Sequence, residues 1–196
     1  MNNDIKHLRG IILLVMLWFC STIQGQIYKY IGLEDGLSSR NVYAVQQANG
    51  GFMWFLTDNG IDRYDGTEIS RYSLTINNIK FTEYSSCRFI YDGQKDNLWL
   101  ATGSGKLLYY TQRSNSFELA YEPKIQYRRS DIMRCAVSPI DANGNIWMFV
   151  GEQAFRYNIH SNTGCEMFLS NEDQNMTFTA VAPIDATNLY IGTKGG

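Results

Sequence analysis

An aromatic residue that recurs at a nearly constant interval constrains this chain more than any other feature of its sequence. In four places a polar turn precedes an apolar residue and then an aromatic one, and these aromatic residues are Trp54, Trp99, Trp147 and Tyr190. They stand 45, 48 and 43 residues apart. Repeats of this period are typical of units that cannot bury their hydrophobic faces alone and must stack on their neighbours.

The similarity continues downstream of each aromatic residue in a constant register. Three residues later the units have Thr57, Thr102, Val150 and Thr193, and six residues later they have Gly60, Gly105, Gln153 and Gly196. Segments 57–60 and 102–105 have the composition of tight turns, because Asn and Gly tolerate the positive φ that two-residue hairpin loops require. Apolar stretches flank each hairpin, so each complete unit is predicted to contain four strands.

The sequence therefore predicts an all-β fold, a partial β-propeller of about three and a half four-stranded antiparallel blades after a signal peptide. The blade repeats lie at approximately 41–74, 85–122, 132–170 and 178–196. The fourth repeat stops at the turn of its hairpin, so the ring cannot close with these repeats. We expect the chain to be a fragment of a longer protein, and a four-bladed domain is the alternative.

The first 25 residues have the pattern of an export signal. Lys6 and Arg9 form a basic start, and an unbroken apolar run extends from Ile11 to Cys20. That run is about half of the ~20 apolar residues that a membrane-spanning helix needs. We therefore predict a signal peptide at 1–25, an incomplete propeller at 26–196 and a periplasmic location, with lipidation of Cys20 as the alternative.

Without the leader the chain keeps three cysteines, Cys87, Cys135 and Cys165. An odd number without close pairs does not indicate a disulfide framework, so we predict free thiols in an apolar core. The tryptophans allow two interpretations. They fill the gaps between stacked blades, each burying on the order of 150–250 Å², or they form a ring of sugar-stacking platforms. Repetition at one register favours packing.

Residues with catalytic or metal-binding chemistry are scarce. Only two histidines occur, His7 in the leader and His160 in a predicted turn. Segment 141–145, DANGN, is similar to the start of a calcium loop, but the bidentate Glu that completes such a loop is missing, and Asp and Asn also bond their own backbone in turns. A net charge of -2 without a basic run does not favour nucleic-acid binding. We therefore predict no enzyme in this segment, no cofactor, and no catalytic, cofactor-binding or metal-binding residue.

Two stretches of the first repeat carry a family resemblance. Residues 33–42, LEDGLSSRNV, and 51–66, GFMWFLTDNGIDRYDG, resemble the two-component regulator propeller repeats that begin the periplasmic sensors of Bacteroidetes hybrid two-component systems. Later repeats match less closely. With them included, the likeness covers roughly residues 30–196. The family usually has Gly two residues after the aromatic residue, which here holds only for Gly192, and Gln153 replaces a turn glycine.

The resemblance implies a function for a full-length parent. Such a parent would be a homodimeric histidine kinase, anchored in the inner membrane by parts outside this segment, that recognises oligosaccharides and signals to polysaccharide-utilisation genes. Ligand contacts in the family come from variable loops, so no contact residue is assigned here. Two alternatives stay open: a propeller-type lyase, which should show an inward-facing His with acidic partners, and a protein-interaction propeller.

Overall fold

The computed structural model describes residues 28–48, 50–93, 95, 97–125, 135–167, 178–185 and 188–194. The predicted signal peptide, with Cys20, lies outside the described residues. The chain divides into two units, Met1–Ile31 and Gly32–Gly196. Residues 28–31 of the first unit have no regular secondary structure, and the strands that follow all belong to the second.

The second unit is built from short strands in sequential order. The first seven are β1 (Val42–Gln47), β2 (Met53–Thr57), β3 (Gly60–Tyr64), β4 (Ile69–Tyr72), β5 (Thr75–Ile76), β6 (Ile79–Lys80) and β7 (Arg88–Asp92). The next nine are β8 (Asn97–Ala101), β9 (Leu107–Thr111), β10 (Ser116–Tyr121), β11 (Cys135–Val137), β12 (Asn145–Val150), β13 (Gln153–Asn158), β14 (Thr163–Met167), β15 (Phe178–Pro183) and β16 (Leu189–Thr193). Short 3-10 helices lie at Leu33–Asp35 and Tyr84–Ser86.

These strands form separate antiparallel meanders. Three sheets have four strands each, β1–β4, β7–β10 and β11–β14, and they are called here the first, second and third blades. Strands β15 and β16 form a two-stranded sheet, the fourth blade. The prediction of an incomplete β-propeller is therefore confirmed. In the described part of the chain we find no helix of the length and apolarity that a bilayer crossing requires.

The hydrophobic core lies between successive blades. One cluster joins the first and second blades and includes Trp54, Leu56, Leu98 and Leu100. A second cluster joins the second and third blades through Trp99, Leu107, Ile146 and Phe155. A third joins the third and fourth blades through Phe149, Phe178 and Val181. Each blade thus buries its faces against its neighbours, as the repeat predicted.

The hairpin between the second and third strands differs from blade to blade. In the first blade Thr57 pairs with Gly60 across a two-residue loop, as predicted. In the second blade the loop is longer, because the N–H of Thr102 bonds to the carbonyl of Lys106, and Gly105 has a φ of 76°. In the third blade, where Gln153 stands in place of the expected glycine, Gly151 has the positive φ of 61°.

The sequence analysis did not identify the small hairpin formed by β5 and β6. Its two-residue turn is Asn77-Asn78, with φ values of 52° and 63°. Asn adopts this left-handed region at lower cost than most residues, and two such residues in a row suit a tight hairpin turn. The hairpin contributes Ile76 to the core between the first and second blades.

The segment before β1 is held against the first blade by polar contacts. The backbone N–H and the hydroxyl of Ser38 both donate to Oδ2 of Asp62 at 2.7 Å. The Ser38 hydroxyl also lies 2.7 Å from the hydroxyl of Thr57, and Nδ2 of Asn59 donates to the Ser38 carbonyl at 2.7 Å. Asp62 is fully buried. Its hydrogen bonds compensate part of the cost of desolvating a carboxylate, which would otherwise be large.

Candidate functional site

The first strands of the four blades line an open cavity of about 880 Å³. Its lining residues come from β1, β7, β11 and β15 and from the segments beside them. We call it the axial cavity, because in a propeller the first strand of each blade lies closest to the ring axis. A concave site with mixed apolar and polar walls is the usual form of a small-molecule site.

Polar groups of the axial cavity are mostly uncharged. Gln46, Ser138 and Thr179 contribute an amide and two hydroxyls, and Arg88 supplies the one charge among the described residues that line it. The Arg88 guanidinium donates to the backbone carbonyl of Cys87 at 2.6 Å. The cavity can therefore offer hydrogen-bond donors and acceptors beside one cation.

The thiols beside the axial cavity are protonated. Burial raises the pKa of Cys87 to about 12, although the positive charge of Arg88 acts in the opposite direction. Burial likewise raises the pKa of Cys135 to about 12. Cys87, Cys135 and Cys165 are all free, as predicted, but Cys165 is exposed and not part of a core. Neutral thiols are poor nucleophiles.

Trp54 confirms the packing interpretation of the recurring aromatic residue. It is 2% exposed and lies within 4.7 Å and 5.7 Å of the rings of Tyr110 and Phe117 in the second blade, measured between centroids. Edge-to-face aromatic pairs at such distances are favourable. Trp54 therefore fills the interface between two blades and is not available as a sugar-stacking platform.

An arginine is enclosed at the same interface. Arg63 is the cross-strand partner of Trp54. Its guanidinium carbon lies 5.6 Å from the Trp54 ring centroid and 4.7 Å from that of Phe52. It also donates to the Tyr110 hydroxyl at 2.8 Å, which joins the first blade to the second. Partly desolvated cation–π contacts of this kind stabilise by about 1–2 kcal/mol.

The interface between the second and third blades is built differently. Trp99 is 5% exposed and packs against Tyr109 and Tyr157, with centroid distances of 5.5 Å and 5.8 Å. Tyr109, and not an arginine, is its cross-strand partner. The indole nitrogen of Trp99 is buried and has no hydrogen-bond partner in the part of the chain that the structure describes. Such a donor costs about 1–3 kcal/mol.

A second cavity opens beside Trp99. This lateral cleft has a volume of about 710 Å³ and lies between the second and third blades. Its lining residues include the aromatic Trp99, Tyr109 and Tyr157, the amides Asn97, Gln112 and Asn162, and the cations Lys95 and Arg113. The charge of the described lining residues is therefore positive.

The last two aromatic residues of the repeat, Trp147 and Tyr190, differ in burial. Trp147, in the third blade, is partly buried and packs against the cluster that the fourth blade shares with the third. Tyr190, at the corresponding position of β16, is 71% exposed. The described chain supplies no further blade to cover it.

The polar turn before Trp147 is a structural turn. Asp141 accepts hydrogen bonds from the backbone N–H of Asn143 and Asn145 at 2.9 Å and 2.8 Å, as expected for an Asp that caps its own turn. No cluster of three His, Cys, Asp or Glu side chains suited to a metal ion occurs within the described ranges. The hydrogen bonds of Asp141 are those that the turn interpretation of segment 141–145 predicts.

His160 lies in the turn after β13, where its ring covers Gly144 and its Nδ1 is 3.0 Å from the Lys95 ammonium. It is not among the residues that line the axial cavity. His7 falls outside the described residues.

Comparison of the sequence with protein-family models and with curated proteins found no match. Comparison of the structure with solved structures found several similar chains. The extracellular domain of a putative hybrid two-component system from B. thetaiotaomicron superposes with a TM-score of 0.59 at 20% identity, over 84% of this chain and 23% of that one. The extracellular domain of a putative one-component system from the same organism gives 0.57 at 16%, over 84% and 21%.

An enzyme has a similar structure. A catalytically inactive His-to-Ala variant of virginiamycin B lyase from Staphylococcus aureus gives a TM-score of 0.61 at 18% identity, over 87% of this chain and 54% of that one. The chain thus spans less than two thirds of the length of each of these proteins. It shares with these sensor domains and with this lyase one fold, the β-propeller, of which it forms an incomplete arc.

Proposed function

We propose that this chain is the opening part of an extracytoplasmic sensor propeller that recognises oligosaccharides. In this proposal residues 1–25 direct export, and the blades lie in the periplasm. The longer protein would be a hybrid two-component histidine kinase that signals to polysaccharide-utilisation genes. The blades themselves would bind the oligosaccharide and transmit the signal, and they would not catalyse a reaction.

The axial cavity is the observation that carries this proposal. Residues of all four blades line it, Gln46 alone from the first, so a ligand there can bridge neighbouring blades. Its hydroxyl and amide groups suit a ligand rich in hydroxyl groups, because each buried polar group of such a ligand needs a partner. Its described lining residues include no carboxylate, which disfavours a cationic ligand.

The likeness to sensor domains supports the same function. Two of the similar structures are extracellular domains of putative signalling systems of B. thetaiotaomicron. The resemblance of residues 33–42 and 51–66 to sensor propeller repeats rests on the sequence alone and points to the same class.

A lyase-type propeller is the alternative that the virginiamycin B lyase structure raises. The placement of His160 disfavours it. This histidine packs on Gly144 in an outer turn and contacts Lys95, and no carboxylate partner is found for it among the described residues. General acid–base catalysis needs such a group within hydrogen-bond reach of the substrate.

The test is calorimetric titration of neutral and acidic oligosaccharides into this chain and into the longest polypeptide that its gene encodes. We expect binding to the longer polypeptide, weakened about tenfold by Arg88→Gln or Gln46→Ala. Lys80→Gln, on the exposed β6, is the matched control and should leave binding unchanged. Absence of binding by any oligosaccharide to either polypeptide would overturn the proposal.

A further inference from the structure

The blade that forms the lateral cleft differs from the first and third blades in the residue that lies opposite its tryptophan across the strands. In the first and third blades the aromatic residue pairs with an arginine, Arg63 opposite Trp54 and Arg156 opposite Trp147. Both guanidinium groups lie over the indole ring of the partner, at 5.6 Å and 5.7 Å from its centroid. These arginines cover the tryptophan faces with a group that belongs to the protein.

The second blade has a tyrosine at this position. Tyr109 is the partner of Trp99, and the lateral cleft lies beside the two rings. Tyr157 of the third blade forms part of the same wall. Trp99 and Tyr157 are buried, whereas Tyr109 is half-buried and offers a ring face to the cleft. An aromatic face next to amide groups matches a sugar ring, which has an apolar face and a rim of hydroxyl groups.

The buried indole nitrogen of Trp99 is an independent observation at this place. It is an N–H donor without a partner within the described ranges, on a side chain that lines the cleft. Native proteins pair nearly all such donors, so an exception needs an explanation.

The charge of the cleft selects among sugars. Lys95 and Arg113 are the charged residues among those described in its lining, and both are exposed. The Lys95 ammonium contacts His160 at 3.0 Å, and Glu118, which accepts a bond from the Tyr109 hydroxyl at 3.1 Å, stands next to the cleft and not in its lining. Cations at the mouth of an aromatic cleft favour an anionic ligand and form charge-assisted hydrogen bonds with a carboxylate.

We propose that the lateral cleft binds a saccharide that carries a carboxylate, that is, a uronic-acid unit. The half-buried ring of Tyr109, which is supported by the buried Trp99, packs against the sugar ring. The amides of Asn97 and Asn162 bond its hydroxyl groups, and Arg113 with Lys95 binds the carboxylate. This site deepens the proposed function by naming a ligand class. Both walls of the cleft belong to this chain, so it binds without closure of the ring.

The experiment is titration of this chain with uronic-acid di- and trisaccharides, each compared with its methyl ester. The ester keeps the ring and its stereochemistry and removes the charge. We expect the acids to bind at least tenfold more tightly than the esters, and more weakly as ionic strength rises. Arg113→Gln and Lys95→Gln should each weaken binding of the acid about tenfold, and Lys80→Gln should not.

Three outcomes contradict the proposal, and they separate it from the proposed function. Equal affinity for acids and esters overturns the selection for charge. Binding that Arg113→Gln, Lys95→Gln and Trp99→Phe all leave unchanged places the ligand elsewhere. Failure of every uronate to bind overturns the site, while neutral oligosaccharides that bind the longer polypeptide and lose affinity in Arg88→Gln would leave the sensor function standing.

Discussion

The indole nitrogen of Trp147 donates a hydrogen bond to Oδ2 of Asp141 at 3.0 Å. The same carboxylate accepts the backbone N–H groups of Asn143 and Asn145 through Oδ1. It thereby ties the turn before β12 to the aromatic residue inside β12. One side chain couples local turn geometry to the packing between blades.

Replacing Asp141 should destabilise the protein. Asp141→Ala leaves four donor groups without this acceptor, the backbone N–H of Asn143 and of Asn145, the side-chain amide of Asn145 and the indole of Trp147. We expect the free energy of unfolding to fall by about 2–3 kcal/mol. Urea denaturation followed by tryptophan fluorescence measures it. Asp185→Ala is the matched control, because Asp185 caps the corresponding exposed turn of the fourth blade. If Asp185→Ala lowered the free energy of unfolding as much as Asp141→Ala does, the role assigned to the hydrogen bond between Asp141 and Trp147 would be contradicted.

The same carboxylate predicts a dependence of stability on pH. Burial raises the pKa of Asp141, but hydrogen bonds from Asn145, Trp147 and Asn143 outweigh burial and hold the pKa below 3.8. Since the folded state has the lower pKa, this contribution is fully present above the unfolded value and is lost as pH falls through the folded one. Urea midpoints between about pH 6 and about pH 3 should therefore fall more steeply for wild type than for Asp141→Asn. Parallel curves would contradict this assignment.

The enclosed arginine should stabilise the contact between the first and second blades. Arg63→Met removes the cation–π contacts and the hydrogen bond to Tyr110, and we expect a loss of about 2 kcal/mol in the free energy of unfolding. Arg156→Met changes the corresponding position of the third blade, where the guanidinium lies over one ring. Its loss should stay below about 1 kcal/mol. Reversal of this order, measured by chemical denaturation, would show that Arg63 does not join the blades.

Trp99 and Tyr190 occupy corresponding positions of the repeat but differ in burial. Trp99→Ala should cost about 3–5 kcal/mol, because it removes a buried indole from the core between two blades. Tyr190→Ala should change the free energy of unfolding by less than about 0.5 kcal/mol, because its ring is largely exposed. Thermal denaturation of the two variants gives the comparison. A large loss for Tyr190→Ala would mean that another surface covers β16.

The thiols should differ widely in reactivity. Cys165 is exposed, whereas burial raises the pKa of Cys87 to about 12. With a disulfide reagent near neutral pH, the folded chain in a Cys20→Ser background should show one fast-reacting thiol, which Cys165→Ser removes. Cys87 should react only after denaturation. Cys135 is half-buried and lines the axial cavity, so it should react in the folded chain, but more slowly than Cys165 because its pKa is raised to about 12. Reaction of Cys87 or Cys135 as fast as that of Cys165 in the folded chain would contradict this order.

Sequence periodicity predicted most of the fold. The interval between Trp54, Trp99 and Trp147 identified the second strand of each complete blade, because each blade must present the same packing face to the next. The hairpin at 57–60 followed from its turn residues, whereas those at 102–105 and 150–153 differed in length or in the position of the glycine. Turn shape depends on φ at single residues, which repeat spacing does not determine.

The axial cavity and the lateral cleft were not predicted. Gln46, Arg88 and Thr179 are far apart in sequence and meet because the first strands of different blades converge. The lateral cleft depends on which residue lies opposite each tryptophan. In the second blade that residue is Tyr109, ten positions after Trp99, whereas in the first and third blades it is an arginine nine positions after the tryptophan.

The sequence by itself determined the spacing of the blade repeats and the position of the recurring aromatic residue in each, because these follow from local strand propensity and from a period that recurs along the chain. Tertiary structure alone decided which aromatic residues are buried, where cavities open and which charges face them. Burial depends on whether a neighbouring blade stands against a given face, so Trp99 is enclosed and Tyr190, at the corresponding position, remains exposed.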